Sequence, residues 1–143
     1  MLHTKTGSVS RIVLACFIAV AFVFALAWPQ YAKYRNAVHA HQAGEFAKTL
    51  AAAEETYKQQ TGAYTPDFRR LNVRLDCPTH QTADGPVLDC DEYVYSLQDN
   101  LIRAEHKELQ VWLHISIPQG EVSCHYPDQD WAGTDLCRRL AGI

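Results

Sequence analysis

An α+β fold is predicted: one long N-terminal α-helix, membrane-like in its first half and amphipathic in its second, packed on a small antiparallel β-sheet of about four strands. Three observations predict it. Ile12 to Trp28 is a run of seventeen uncharged and almost wholly apolar residues. A helix-favouring stretch follows it and runs to Gly62. Further on, Leu109 to Ile117 alternates apolar and polar residues, the period of a strand with one buried face.

The chain has 143 residues, and the long segment takes the first third, which leaves room for a single small globular domain. The net charge of −3 and the scattered lysines and arginines argue against a nucleic-acid partner. Five cysteines in so short a chain, four of them after residue 76, indicate an oxidising compartment and hence an exported protein. The chain contains no repeat and no low-complexity tract.

The apolar run comes first in the chain. Between Arg11 and Lys33 lie twenty-one uncharged residues, which as a helix span about 31 Å, roughly one hydrocarbon core. Three readings compete. A secretory signal would use Lys5 and Arg11 as its basic start and Ala25-Leu26-Ala27 as a small-x-small cleavage site. A plain anchor would keep the whole segment. A third kind of leader would be cut on the cytoplasmic side after Gly7, with the apolar segment retained. Charge does not choose an orientation, because Lys5 and Arg11 are balanced by Lys33 and Arg35.

The downstream residues break the tie. Tyr31, Tyr34, Val38, Phe46, Leu50, Ala53 and Tyr57 are spaced by three, four or eight, so they form one apolar helical face with Gln42 as the gap. Alanine, lysine, glutamate and glutamine fill the remainder, all good helix formers. Gly62 supplies a C-cap, and Thr65-Pro66-Asp67 reads as the exit turn. The helical pattern resumes directly after Pro29, which a long helix absorbs as a kink. The predicted segments are therefore a leader over 1–7, a transmembrane helix over 8–28, its amphipathic continuation over 29–61, a connecting loop region over 62–90, and a sheet with a closed tail over 91–143.

Four short strands are predicted: Tyr93–Leu97, Leu101–His106, Leu109–Ile117 and Glu121–Tyr126. Gln98-Asp99-Asn100, Lys107-Glu108 and Pro118-Gln119-Gly120 are the hairpin connections. In the third strand Leu109, Val111, Leu113, Ile115 and Ile117 share one face, with Gln110, Trp112, His114 and Ser116 on the other. One apolar face needs a cover, and the second half of the helix supplies it.

Cys77 and Cys90 enclose twelve residues, and so do Cys124 and Cys137. Four cysteines allow three pairings, and spacing does not choose among them. The working expectation is sequential pairing, Cys77 with Cys90 and Cys124 with Cys137, because the first bridge closes Pro78 to Asp89 and the second closes the tail. Each would contribute about 3 kcal/mol by loop entropy. The rival is a zinc site drawing on Cys77, His80, Cys124 and His125, but no CxxC pair supports it. Cys16, in the apolar run, reads as a small buried hydrophobe.

Other residues carry less. His39 and His41 face different ways on a helix and do not share a metal. Glu54-Glu55 and Asp89 to Glu92 read as solvated acidic surface, and Asp91-Glu92 matches no calcium loop. Trp112 and His114 read either as a sheet-edge contact surface or, more simply, as ordinary exposed side chains of a sheet face, the reading preferred here. No Gly-rich phosphate loop, GxSxG or HExxH is present, so neither an enzyme nor a cofactor or metal is expected.

A family resemblance joins these segments. With Pro29 placed on the proline that kinks type IV pilin helices, Gly7 falls without a gap on the glycine before the prepilin peptidase cut. Pro29-Gln30-Tyr31-Ala32-Lys33-Tyr34 resembles the segment after that kink. Ala51 to Phe68 is similar to the pilin end-of-helix pattern of Ala, Glu, Tyr and then Gly-x-Tyr. Gly120 to Cys124 with Leu136 to Leu140 resembles the disulfide-closed tail of some pilin-like proteins. The resemblance covers Gly7 to Asn72 well and the last two dozen residues loosely.

It implies a structural subunit of a type IV pilus or of a type II secretion pseudopilus, with Ser8 as the modified mature N-terminus. The implied site is the bacterial inner membrane, with the globular domain periplasmic until the subunit enters the fibre. The implied partners are other pilin or pseudopilin subunits, the prepilin peptidase, the inner-membrane assembly platform and membrane lipid. Two departures qualify it. The family start is usually a Phe followed four residues later by a glutamate that neutralises a neighbour's N-terminal amine; here those places hold Ser8 and Ile12. A buried charge needs such a partner, so Ile12 points either to a minor or tip subunit or to a signal that has drifted. The helix-softening glycine of major pilins is Ala21 here. The alternative reading is a secreted, disulfide-bonded binding protein released after Ala27.

Overall fold

The computed structural model describes residues 6–126 and 131–142, with side chains over 10–126 and 134–142. The first five residues of the expected leader and residues 127–130 of the expected tail lie outside the described residues. The chain divides into two units, Met1–Asn36 and Ala37–Ile143.

Helix α1 is assigned over Thr6–Thr61 and passes through Pro29. Proline has no N–H to give the Ala25 carbonyl, so one hydrogen bond of the ladder is missing there. In the first unit every described side chain from Ser10 to Tyr31 is exposed, including Phe17, Phe22, Phe24 and Trp28. The helix ends where predicted: Gly62 adopts a left-handed φ of 87°, and its N–H donates to the Lys58 carbonyl at 2.7 Å.

The sheet is a six-stranded antiparallel meander in the order β1-β2-β3-β4-β5-β6. Its strands are β1 Thr79–Thr82, β2 Gly85–Cys90, β3 Tyr93–Gln98, β4 Leu101–His106, β5 Trp112–Ser116 and β6 Val122–His125. The expected four strands correspond to β3 to β6, and the predicted connecting region 62–90 also holds a 3-10 turn at Phe68–Arg70 and the hairpin β1–β2. Asp67 caps that turn by accepting the Arg69 N–H. A second helix, α2, over Trp131–Ala141, occupies the expected tail.

Register explains the core. Leu88, Tyr95, Ala104, Leu113 and Cys124 pair in succession across β2 to β6, so one row of side chains crosses the sheet on a single face. Leu97, Ile102, Ile115 and Val122 form a second row. Asp99 and Asn100, both at positive φ, make the two-residue β3–β4 connection that matches strand twist. The predicted strand Leu109–Ile117 is shortened at its start. His106 Nδ1 accepts the N–H groups of Glu108 and Leu109, both at 3.1 Å, which turns the chain before β5 begins.

The helical face that covers the sheet differs from the predicted one. The buried positions are Ala40, Ala43, Gly44, Ala47, Leu50 and Glu54, whereas Tyr31 and Tyr34 are exposed and Phe46, Ala53 and Tyr57 only half-buried. Small residues line the stripe because the strands opposite carry large ones, Tyr93, Tyr95, Ile102 and Leu113. Gly44, which lies inside the predicted helix, marks the closest approach: a Cβ there would stand 1.8 Å from the Leu140 carbonyl oxygen of α2. Leu136, Cys137 and Leu140 bury one face of α2, which packs on β5 and β6. Fully buried Phe68, Leu50, Leu88, Ile102, Leu113 and Leu140 contribute about 1.5–3 kcal/mol each.

Candidate functional site

The residues singled out in the sequence fall into three places. Gly7 and Ser8 lie in the first turns of α1, and only their backbone is described. The apolar segment that follows contains a window long and apolar enough to cross a membrane, with none of it buried. Cys16 is exposed on that segment, so the reading of it as a buried hydrophobe is corrected: no protein surface covers it.

The cysteines form the second place. The structure joins Cys77 to Cys90 and Cys124 to Cys137, with Cα atoms 5.0 and 5.8 Å apart. The first bridge fastens the segment after the 3-10 turn to the end of β2; the second fastens β6 to α2. With these sulfurs bonded to one another, none is left as a thiolate ligand for zinc. Among the described residues no group of three or more His, Cys, Asp or Glu side chains is arranged to hold a metal ion.

The third place was read as solvated surface, and burial corrects that reading in part. Glu54 is fully buried. Its Oε2 accepts the Thr65 N–H at 3.0 Å while its Oε1 has no hydrogen-bond partner. Burial pushes its carboxyl above the ordinary carboxylate range, against the opposing pull of the Thr65 bond. The contact holds the end of α1 to the turn beyond Gly62. Glu55 is half-buried and accepts the Tyr64 hydroxyl, to which Lys58 also donates at 3.1 Å.

Glu92 is likewise enclosed. Its Oε2 stands 3.0 Å from His39 Nδ1 on α1 and 3.9 Å from His106 Nε2 on β4. His106 is buried, and its Nδ1 is already an acceptor for two backbone N–H groups, so the neutral ring carries its proton on Nε2, facing Glu92. Burial pulls His106 below the ordinary histidine value, and the charges of Glu92 and Glu108 oppose it. Asp89 forms ion pairs with Lys107 and, at 3.5 Å, with His80. Only Asp91 of this run is exposed.

Of these side chains His39, Asp91 and Glu92 border a cavity of about 260 Å³ between α1 and the β2–β3 turn. Phe46, Tyr93 and Tyr95 give it an aromatic wall, and Arg74, Asp76, Asp91 and Glu92 give it charge. Phe46 and Tyr95 meet edge to face, with ring centroids 5.0 Å apart. Tyr95 spends its hydroxyl on the Ala43 carbonyl at 3.4 Å. The cavity is not legible in the sequence because His39, Arg74 and Glu92, which line it, lie far apart in the chain.

On the opposite sheet face Trp112 stacks on His125, with centroids 3.9 Å apart, and the Arg103 guanidinium lies 4.9 Å from the Trp112 ring. Trp112 and His114 are half-buried by these neighbours rather than open. No protein-family model, no curated protein and no solved structure matches the chain.

Proposed function

We propose that this protein is a pilin-like structural subunit of a type IV pilus or a type II secretion pseudopilus. The precursor is held in the bacterial inner membrane with its globular domain periplasmic, cut after Gly7, and drawn into a fibre through its helix. Its partners on this reading are other pilin or pseudopilin subunits, the prepilin peptidase, the assembly platform and membrane lipid.

The observation that supports the reading is the division of labour along one helix. α1 runs unbroken over Thr6–Thr61, yet its described residues from Ser10 to Tyr31 bury nothing. Its later turns carry the core stripe of a disulfide-closed sheet domain. An apolar helical surface of that length is stable in lipid or against other apolar helices, and exposed to water it would aggregate. A signal peptide removed after Ala27 has no need of a helix that continues into the mature fold. With Ile12 where a charge partner for the N-terminal amine is usual, the subunit belongs at a position where that contact occurs once rather than along a homopolymer.

Gly7→Val tests the reading at the proposed cut. The variant should accumulate as a full-length, membrane-bound precursor on an anti-C-terminal immunoblot. Processing at the native rate would overturn it.

A further inference from the structure

The cavity between α1 and the β2–β3 turn is built independently of any role in a fibre. Its volume, about 260 Å³, lies below the range of pockets that take cofactors or drug-sized molecules and suits a single side chain. Three carboxylates line it, those of Asp76, Asp91 and Glu92. The one arginine among them, Arg74, is engaged with Asp76 at 3.0 Å. His39 also lines the cavity and meets Glu92 at 3.0 Å, so the carboxylate left to face the cavity is that of Asp91, and an aromatic wall beside it favours a cation over an anion or an apolar guest.

A second observation points into the same space. Tyr93 is only 4% exposed and lines the cavity, but its hydroxyl hydrogen-bonds no described residue, whereas the hydroxyl of Tyr95 two residues on is satisfied within the fold. The cavity is also preorganised. The Cys77–Cys90 disulfide ties the wall that carries Arg74 and Asp76 to the turn that carries Asp91 and Glu92. Asp91 holds a left-handed φ of 33°, which fixes that turn further.

We propose that this cavity binds a guanidinium or ammonium group on a side-chain-sized stem, with Asp91 supplying opposite charge and the Tyr93 hydroxyl a hydrogen bond. The group is the head of an arginine or lysine, either on a partner polypeptide or as a free basic amino acid.

The test uses the full-length protein in detergent micelles, with tyrosines carrying a ¹³C label beside the hydroxyl and the Tyr93 signal assigned through Tyr93→Phe. N-acetyl-arginine amide and N-acetyl-lysine amide should shift that signal saturably, and the uncharged N-acetyl-citrulline amide should not. Free L-arginine, which bears its own carboxylate, should bind more weakly than the blocked probe if the group comes from a polypeptide, and at least as well if it is a free amino acid. Asp91→Asn keeps a residue tolerant of the left-handed turn and should weaken binding about tenfold, the size of one charge-assisted contact. Reduction of Cys77–Cys90 should weaken it as well. Absence of a saturable shift with both blocked cations, or an equal shift with citrulline, overturns the proposal. So does unchanged affinity in an Asp91→Asn protein whose circular dichroism is native.

Discussion

The two halves of α1 are the same secondary structure built on opposite rules. From Ser10 to Tyr31 large apolar side chains cover the helix all round and every described one is exposed. From Ala40 to Glu54 half of the buried positions are alanine, and Gly44 is another. Where the surroundings are fluid, bulk is what an apolar helix needs, because each large side chain adds transferable area. Where the surroundings are a packed sheet of tyrosines and aliphatics, bulk has to be absent on one side so that the backbones approach. Side-chain size therefore follows burial: large where nothing described covers the helix, small where the sheet and α2 pack on it.

The sharpest way to break that contrast is to add bulk to the close-packed half. Gly44→Val places atoms against the Leu140 carbonyl, backbone that yields poorly. It should cost about 4 kcal/mol or more, in the exceptional class of single substitutions. Urea denaturation of the full chain in micelles, followed by near-UV circular dichroism, reads the loss.

Removing bulk should then separate the two regions. Phe68→Ala empties a fully buried site and should cost about 3–5 kcal/mol. Phe17→Ala removes the same ring from a side chain 71% exposed and should leave the denaturation of the globular unit within about 0.5 kcal/mol of native. A comparable loss for both would mean that the first half of α1 belongs to the folded core.

A smaller effect than that of Phe68→Ala is expected at Glu54. Its folded carboxyl sits above the usual value because of burial, so the folded state holds the proton more tightly than the unfolded chain does. Its contribution is present in full below the ordinary carboxylate value and is lost as pH rises through the folded value. His106, depressed by burial, acts the other way: its contribution is present above the ordinary histidine value and is lost as pH falls through the folded one. Because His106 is common to both proteins, the stability of native minus Glu54→Gln isolates Glu54. That difference should fall as pH rises above the ordinary carboxylate value, so that Glu54→Gln gains on the native protein toward neutrality. A flat difference would show that the buried carboxyl is not raised.

The elements legible in the chain were those whose period survives along their length. β3, β4 and the body of β5 alternate cleanly, and α1 was visible from composition and from Gly62. The hairpin β1–β2 was not, because Gly85-Pro86 interrupts the pattern and both strands are short; the turn dipeptide Asp84-Gly85 was its one local signal. α2 was passed over because its apolar positions are few, although Leu136, Cys137 and Leu140 with Gly142 after them carry helical spacing and a stop. The buried helix stripe was missed for a physical reason. Large residues at helical spacing suggest the inward face, but close approach to tyrosine-bearing strands selects small ones. Glu54 was misread because carboxylates are rarely buried without a charged partner. Gly7 and Ser8 owe their place in the account to a resemblance, and no packing in the structure selects them.

The central claim is that the apolar half of α1 stays with the mature protein. Intact mass and N-terminal sequencing of the processed protein, purified from membranes, test it most directly. The account predicts a chain that begins at Ser8, bears a modified amine and retains Ile12 to Trp28. A mature chain beginning at Trp28, recovered from the soluble fraction, would contradict it and leave a secreted, disulfide-bonded domain in its place.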